Sequence, residues 1–418
     1  MQPVKIISVI GLGVAENAAL SAEAISALNN AQLVIGSARQ LLTLANILTT
    51  QKTAHLPKLN ALKALIETAS SVVVLGSGDP LYYGIGSWLS KQFTSSQLHF
   101  YPAISSITQA CHSLAIGQQD VTVLSLHGRP LNKLKVALKA NQTLLLLTDK
   151  HSQPSNIAEV CLETGFDQAE IIVCERLGYS DQKISRFILD ALINTEHSFD
   201  ALHVSFVICH QNQGYLPEFP GIKDQYFETG ELGSKGMISK REVRLAILSL
   251  LQLQKEDLLW DIGAGCGGVS VELAYWQPKA TVYAIEHHQQ RFECLLKNRE
   301  KFGVVSNLKP IFGRAPEQLS SLPAANKIFI GGSDGELPVL LASLWQALPE
   351  GGKIVVSAVM ESTKSQLFDF YSLRSDNEDC QAETLQVAIN KGATLAGQLI
   401  YRPALPVNLF SFIKRKTS

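Results

Sequence analysis

Twice along the chain a run of β-branched and aliphatic residues ends in a cluster of glycines and passes straight into a helical pattern. Residues 4–10 run into Gly11-Leu12-Gly13 ahead of an alanine-rich stretch at 20–30, and residues 258–262 run into Gly263-Ala264-Gly265-Cys266-Gly267-Gly268. A strand that turns at glycine into a helix is the opening unit of a parallel α/β sheet, because a backbone without Cβ atoms can bend tightly and approach a ligand there. Two such openings predict two α/β domains.

The alternation continues behind each opening. Short apolar strands are expected at 33–36, 72–75, 121–126, 143–147, 171–174 and 203–209, and in the second series at 281–285, 308–312, 327–330 and 353–359, after a helix at 240–253. Between the series, residues 210–236 carry two prolines and several glycines that interrupt any period. The expected organisation is a domain at 1–210, a linker at 211–235 and a doubly wound, Rossmann-like domain at 236–418. With 418 residues the chain is long enough for two cores. The glycine turns of the halves differ in composition and position, so an internal repeat is not indicated.

Composition narrows the class. Apolar residues make up 46% and charged residues 17%, a folded globular chain. Lys plus Arg total 36 against 37 for Asp plus Glu, so no bulk basic field suggests nucleic acid. Seven cysteines stand singly, with no Cys-x-x-Cys pair and no ligand spacing among the histidines; no metal site or disulfide framework is expected, and a reducing cytoplasm fits. The apolar runs are strand-sized, which argues against a membrane span.

In the second half, Gly263, Gly265 and Gly268 satisfy a dinucleotide pattern, and Glu286 ends the next strand, where a carboxylate can accept both ribose hydroxyls. These residues alone suit S-adenosylmethionine or NAD equally, which leaves an NAD-dependent oxidoreductase open. The wider set of motifs is Gly236-Met237-Ile238-Ser239-Lys240-Arg241-Glu242-Val243-Arg244, Tyr283-Ala284-Ile285-Glu286, Gly313-Arg314-Ala315-Pro316-Glu317, Phe329-Ile330-Gly331-Gly332-Ser333 and Pro349-Glu350-Gly351-Gly352. Together with the glycine turn it resembles the decarboxylating methyltransferases of cobalamin (corrin) biosynthesis. The resemblance implies that Gly263, Gly265 and Gly267 wrap the methionine part of S-adenosylmethionine, that Glu286 holds the ribose and Ala315 the adenine edge, and that Ser239 stands at the mouth. Ser239 and Arg314 depart from the pattern, which usually has threonine and aspartate there. Arginine cannot accept from the adenine amino group, so that contact would fall to backbone near Ala315.

In the first half, Gly76-Ser77-Gly78-Asp79-Pro80-Leu81-Tyr82-Tyr83-Gly84 places small and turn-forming residues after a strand. With Gly36-Ser37-Ala38-Arg39, Tyr101-Pro102-Ala103-Ile104-Ser105-Ser106, Ser125-Leu126-His127-Gly128-Arg129-Pro130 and Cys174-Glu175-Arg176-Leu177-Gly178, it resembles the tetrapyrrole C-methylases of the same pathway. That fold holds its cofactor between two α/β subdomains, which implies that Ser77, Gly78, Asp79, Tyr82, Ser105 and Ser106 border S-adenosylmethionine. In this order the halves resemble fused precorrin methyltransferases that methylate meso carbons C5 and C15 and remove carbon dioxide from a ring acetate, and such domains assemble as homo-oligomers. A non-catalytic tetrapyrrole carrier is the alternative that Arg314 and Val14, in place of a common proline, motivate.

Several residues carry two readings. Asp79 could instead bond its own backbone before Pro80. His127 and Arg129, and Lys240, Arg241 and Arg244 near the second turn, could hold the substrate's carboxylates or be ordinary turn and helix-face cations. Gly331-Gly332-Ser333 falls at the active-site edge of the second sheet and is expected to meet substrate. No residue is identified as the acid or base of decarboxylation.

Overall fold

The computed structural model describes residues 5–230 and 237–415; Val4, the 231–235 end of the expected linker, Gly236 and residues 416–418 lie outside the described residues. The chain divides into two compact units. One comprises the chain as far as Arg129 together with Lys139–Gln211, the other Pro130–Leu138 together with Asn212 onward.

The first unit contains two sheets. Strands β1 (Ile6–Gly11), β2 (Leu33–Gly36), β3 (Lys52–His55), β4 (Ser71–Gly76) and β5 (Leu98–Tyr101) form a parallel sheet in the order β3-β2-β4-β1-β5. Its central strands are largely apolar because both faces are covered, with Ser8 buried among them. Ile7, Val9, Val72 and Val74 enter one core cluster, and Ile10, Val73 and Leu75, pointing the other way, enter another. Strands β6 (Val121–Ser125), β7 (Thr143–Leu147), β8 (Glu170–Glu175), β9 (Lys183–Ile188) and β10 (His203–Ile208) form a mixed sheet, β6-β7-β10-β8-β9, in which only β6 and β7 run parallel.

The second unit is built on seven strands. β11 (Leu258–Ile262), β12 (Thr281–Glu286), β13 (Leu308–Phe312), β14 (Lys327–Ile330) and β15 (Lys353–Ala358) are parallel in the order β13-β12-β11-β14-β15, so the winding reverses between β11 and β14. This is the doubly wound topology expected from the strand and helix alternation. Of the remaining strands, β16 (Cys380–Val387) and β19 (Val407–Lys414) extend the sheet antiparallel beyond β15, while β17 (Asn390–Leu395) and β18 (Gln398–Pro403) form a separate hairpin. The helix Gly268–Trp276 behind β11 is buried almost all round, as its apolar sequence requires.

From Asn212 to Gly230 the stretch read as a linker belongs to the second unit. Leu216, Ile222 and Phe227 are buried. The backbone N–H groups of Gly221 and Ile222 donate to the Glu272 carboxylate at 2.8 and 3.0 Å, and Glu228 N–H donates to Asn298 Oδ1 at 2.7 Å. Prolines and glycines abolish a regular period there without preventing burial. No helix among the described residues is long and apolar enough to cross a membrane.

Candidate functional site

In the first unit the carboxyl ends of the parallel strands meet in three interleaved loops. A Cβ on Gly11 would lie 2.6 Å from the Gly78 carbonyl oxygen, and Gly78, at φ +66°, donates its N–H to the Gly13 carbonyl at 3.0 Å. Glycine is required at both places, one for space and one for the left-handed backbone. A cavity of about 900 Å³ opens beside these loops and is lined from both sheets. Ser77, Gly78, Asp79, Tyr82, Ser105 and Ser106 line it from the first sheet and His127 and Arg129 from the second, so all eight residues named for this half meet at one place.

Their local roles differ. Asp79 Oδ1 accepts from the N–H groups of Leu81 and Tyr82 at 2.8 and 3.1 Å, which is the turn-carboxylate arrangement, while its other oxygen keeps its capacity. Ser105 caps the helix Ser106–Ser113 by accepting from Thr108 N–H at 3.0 Å, which places Ser106 in the first turn of that helix. Arg129 donates to the Ser125 carbonyl at 2.9 Å. Beside His127, Gly128 N–H donates to Asp149 at 2.7 Å; that bond and a second from His151 N–H pull the Asp149 carboxyl down to about 2. Burial pushes the Tyr82 phenol above its usual range.

The second unit has a cavity of about 590 Å³ at the reversal between β11 and β14, where ligands of open α/β sheets bind. Here the walls are backbone. Gly263 and Gly265 have φ of +74° and +60°; a Cβ on the first would lie 2.7 Å from Gly332 N, and on the second 2.3 Å from Met237 O. Glu286, only 3% exposed, accepts from Gly265 N–H at 2.8 Å with one oxygen and from His288 N–H at 2.8 Å with the other. Each oxygen retains a lone pair for a further donor. Ser239, Lys240, Ala315, Gly331, Gly332 and Ser333 also line this cavity.

Three residues expected here lie elsewhere. Arg244 is fully buried, paired with Glu272 at 2.9 Å and Asp224 at 2.7 Å and stacked 4.8 Å from the Phe227 ring, so it cannot meet a substrate carboxylate. Helical spacing had grouped it with Lys240, but Lys240 precedes the helix Arg241–Leu251, and Glu272 takes up the Arg244 charge from another helix. Arg241 pairs with Glu242 at 3.1 Å and does not line the cavity. Gly267, at φ +86°, faces Leu295 Cδ1, to which a Cβ would come within 2.4 Å; its role is close packing, and Gly268 lines the cavity instead.

The structure also brings in groups the sequence reading passed over. Asp261, at the end of β11, lines the cavity with Oδ2 accepting from the Ser270 hydroxyl and a buried Oδ1 that has no hydrogen-bond partner. Burial pushes its carboxyl up to about 7. Asp334 lies 3.5 Å from Arg314 and 3.4 Å from His287 Nε2, so the arginine that departs from the family pattern is held by a carboxylate at the rim. Burial likewise raises the Cys266 thiol to about 12, the state of an inert packed thiol. No group of three or more His, Cys, Asp or Glu side chains among the described residues could hold a metal ion.

A family model for tetrapyrrole (corrin/porphyrin) methylases matches residues 7–193, and one for a precorrin methyltransferase domain matches residues 231–414. A Sinorhizobium protein named precorrin-6Y C(5,15)-methyltransferase (decarboxylating) is 31% identical over 411 residues, covering 98% of this chain and 96% of its own length. A Mycobacterium tuberculosis protein of the same name is 28% identical over 416 residues, with 98% of this chain and 100% of that protein covered. Among solved structures, a precorrin-6Y C5,15-methyltransferase from Geobacter metallireducens GS-15 is 31% identical and covers 46% of this chain and 98% of that chain, with a TM-score of 0.42.

Proposed function

The chain belongs to the family of precorrin-6Y C(5,15)-methyltransferases (decarboxylating), and from that membership we propose that it uses S-adenosylmethionine in two separate sites to methylate a precorrin at C5 and C15 and to release carbon dioxide from a ring acetate. The observation that carries the reading is a cavity in each unit, at the carboxyl ends of parallel strands and floored by glycines at positive φ.

The residues suit the donor. In the second unit the glycines at 263 and 265 let the turn pack directly against the Gly332 and Met237 backbone beside the cavity, Glu286 offers acceptors for two vicinal hydroxyls, and the Asp261 carboxyl supplies the orphaned acceptor Oδ1. In the first unit Ser77, Ser105, Ser106 and the free oxygen of Asp79 surround the glycine loops. When bound, S-adenosylmethionine supplies an electrophilic methyl group on sulfur. Phe329, Leu340 and Val407 form apolar wall beside the second glycine turn and exclude water from it. Lys240 and Arg314 at the same cavity, and His127 and Arg129 in the first, stand where a polycarboxylate can be oriented.

The macrocycle contributes the reactivity. A pyrrole nitrogen pushes an electron pair to the meso carbon; as the new carbon–carbon bond forms, the methyl carbon–sulfur bond of the donor would break and its electron pair would leave on the sulfur of S-adenosylhomocysteine. When the carbon–carbon bond to the ring carboxylate breaks, the same conjugated system takes up the released pair until a proton arrives. The protein therefore needs to position and desolvate rather than to supply a nucleophile. Purified protein given precorrin-6Y and S-adenosylmethionine is expected to yield a product with two more methyl groups and one carbon dioxide fewer by mass spectrometry; recovery of unchanged mass from competent substrate refutes the reading. Cytoplasmic location, which the single cysteines suit, and self-association, which the family resemblance implies, belong to the same proposal.

A further inference from the structure

The hydroxyl of Ser77 in the first unit is held so that it has one thing left to do. Gln40 is buried in the capping box of the short helix Ala38–Thr43, where its Oε1 accepts from Ser37 N–H at 2.7 Å. A backbone N–H can only donate, so that end of the amide is the oxygen and the other end, Nε2, is a donor. Nε2 lies 2.9 Å from Ser77 Oγ, and Arg39 Nη2 donates to the same oxygen at 3.1 Å. A hydroxyl has two lone pairs and one hydrogen. Both lone pairs are taken, and the hydrogen has no acceptor among the described residues.

Arg39 is likewise uncommitted. Arg176 on the opposite wall is tied to Asp181 at 2.7 Å, whereas Arg39 has no carboxylate partner among the described residues. Both Arg39 and Ser77 are exposed and line the cavity of about 900 Å³, whose single lining carboxylate, Asp79, is turned to its own backbone. A guanidinium beside a hydroxyl that can only donate matches a group that can only accept.

We propose that Arg39 and Ser77, set by Gln40, form a carboxylate clamp in the first-unit cavity. The proposal rests on reading that cavity as a methyl-transfer site. The carboxylate belongs either to a side chain of the tetrapyrrole or to the methionine part of the donor, and two arms of one experiment separate them. Full-length protein and the variants Arg39→Gln, Arg39→Lys and Ser77→Ala are titrated with S-adenosylhomocysteine, and the steady-state KM and kcat for the precorrin are measured for the methylation carried out by the first unit. Arg39 and Ser77 are exposed, so the variants are expected to fold.

Loss of a charged hydrogen bond should cost Arg39→Gln roughly tenfold to a hundredfold in one arm. Ser77→Ala should fall in the same arm, and Arg39→Lys should recover part of the loss. A loss in homocysteine-product affinity identifies the donor's carboxylate; a rise in KM with little change in kcat identifies a ring carboxylate. Values within twofold of the parent protein in both arms overturn the clamp alone. Absence of donor binding in the first unit and of the methylation it carries out in the parent protein overturns the clamp together with the site reading.

Discussion

The two cavities are bordered by different materials. In the first unit the wall is made of side chains from two sheets, Ser77 and Tyr82 facing His127 and Arg176, and glycine serves mainly to interleave the loops behind them. In the second, one strand-to-helix turn and the facing Gly332 bring bare backbone to the cavity, with Glu286 tied to that backbone by two hydrogen bonds. A site made from many side chains loses function in increments. A site made from one turn has no spare conformation, so a single methyl group there should be felt in full.

The sharpest way to break this contrast is Gly265→Ala. The left-handed backbone costs an L-residue about 1–2 kcal/mol, and the new Cβ would stand 2.3 Å from the Met237 carbonyl oxygen. We expect more than a thousandfold loss of methylation by the second unit and of decarboxylation, with donor binding by the first unit retained. A product carrying both methyl groups would remove the distinction.

Next in size is Arg244→Met, which leaves Glu272 charged and buried beside Asp224. Breaking a buried pair from one side costs about 3–5 kcal/mol. Calorimetric melting should show that loss in the second unit only, with the first unit's transition unmoved; equal shifts in both would contradict the separation of the cores.

A third test uses pH. The folded Asp261 carboxyl titrates at about 7, above the value of about 3.9 in an unfolded chain. A raised folded value means that its stabilising contribution is complete below about 4 and is lost as pH rises towards 7. Urea unfolding of the second unit between pH 4 and 7 should therefore show a decline on the order of a few kcal/mol, which Asp261→Asn flattens. The first unit has an opposite sign: Asp149, depressed to about 2, stabilises above the unfolded carboxyl range and loses that contribution as pH falls through 2. The smallest effect is Ser105→Ala, which removes the cap on Ser106–Ser113 and should cost the first unit about 1 kcal/mol.

The parts of this arrangement that were legible in the amino-acid order are those in which one residue type answers one backbone demand. Gly263 and Gly265 stand at positive φ, and Glu286 sits at a strand end, so the letters alone mark the turn. The apolar runs of β1 and β4 were readable as strands, and the structure buries both of their faces. What escaped depends on partners distant in the chain. Arg244 reads as a surface cation until Glu272, on another helix, is seen beside it. The polarity of the Ser77 hydroxyl stays unread until Gln40 and Arg39 arrive from the helix Ala38–Thr43, which lies beyond another helix in the chain. Strands β16 to β18 are largely exposed and lack an apolar run, and their pairing comes from neighbours rather than from their own pattern.

The central claim is that one polypeptide contains two independent sites for the same methyl donor. Isothermal titration of the intact chain with S-adenosylhomocysteine tests it most directly. Two equivalents bound per chain, falling to one in Gly265→Ala, are the predicted result; a single equivalent in the parent protein, or none, would contradict it.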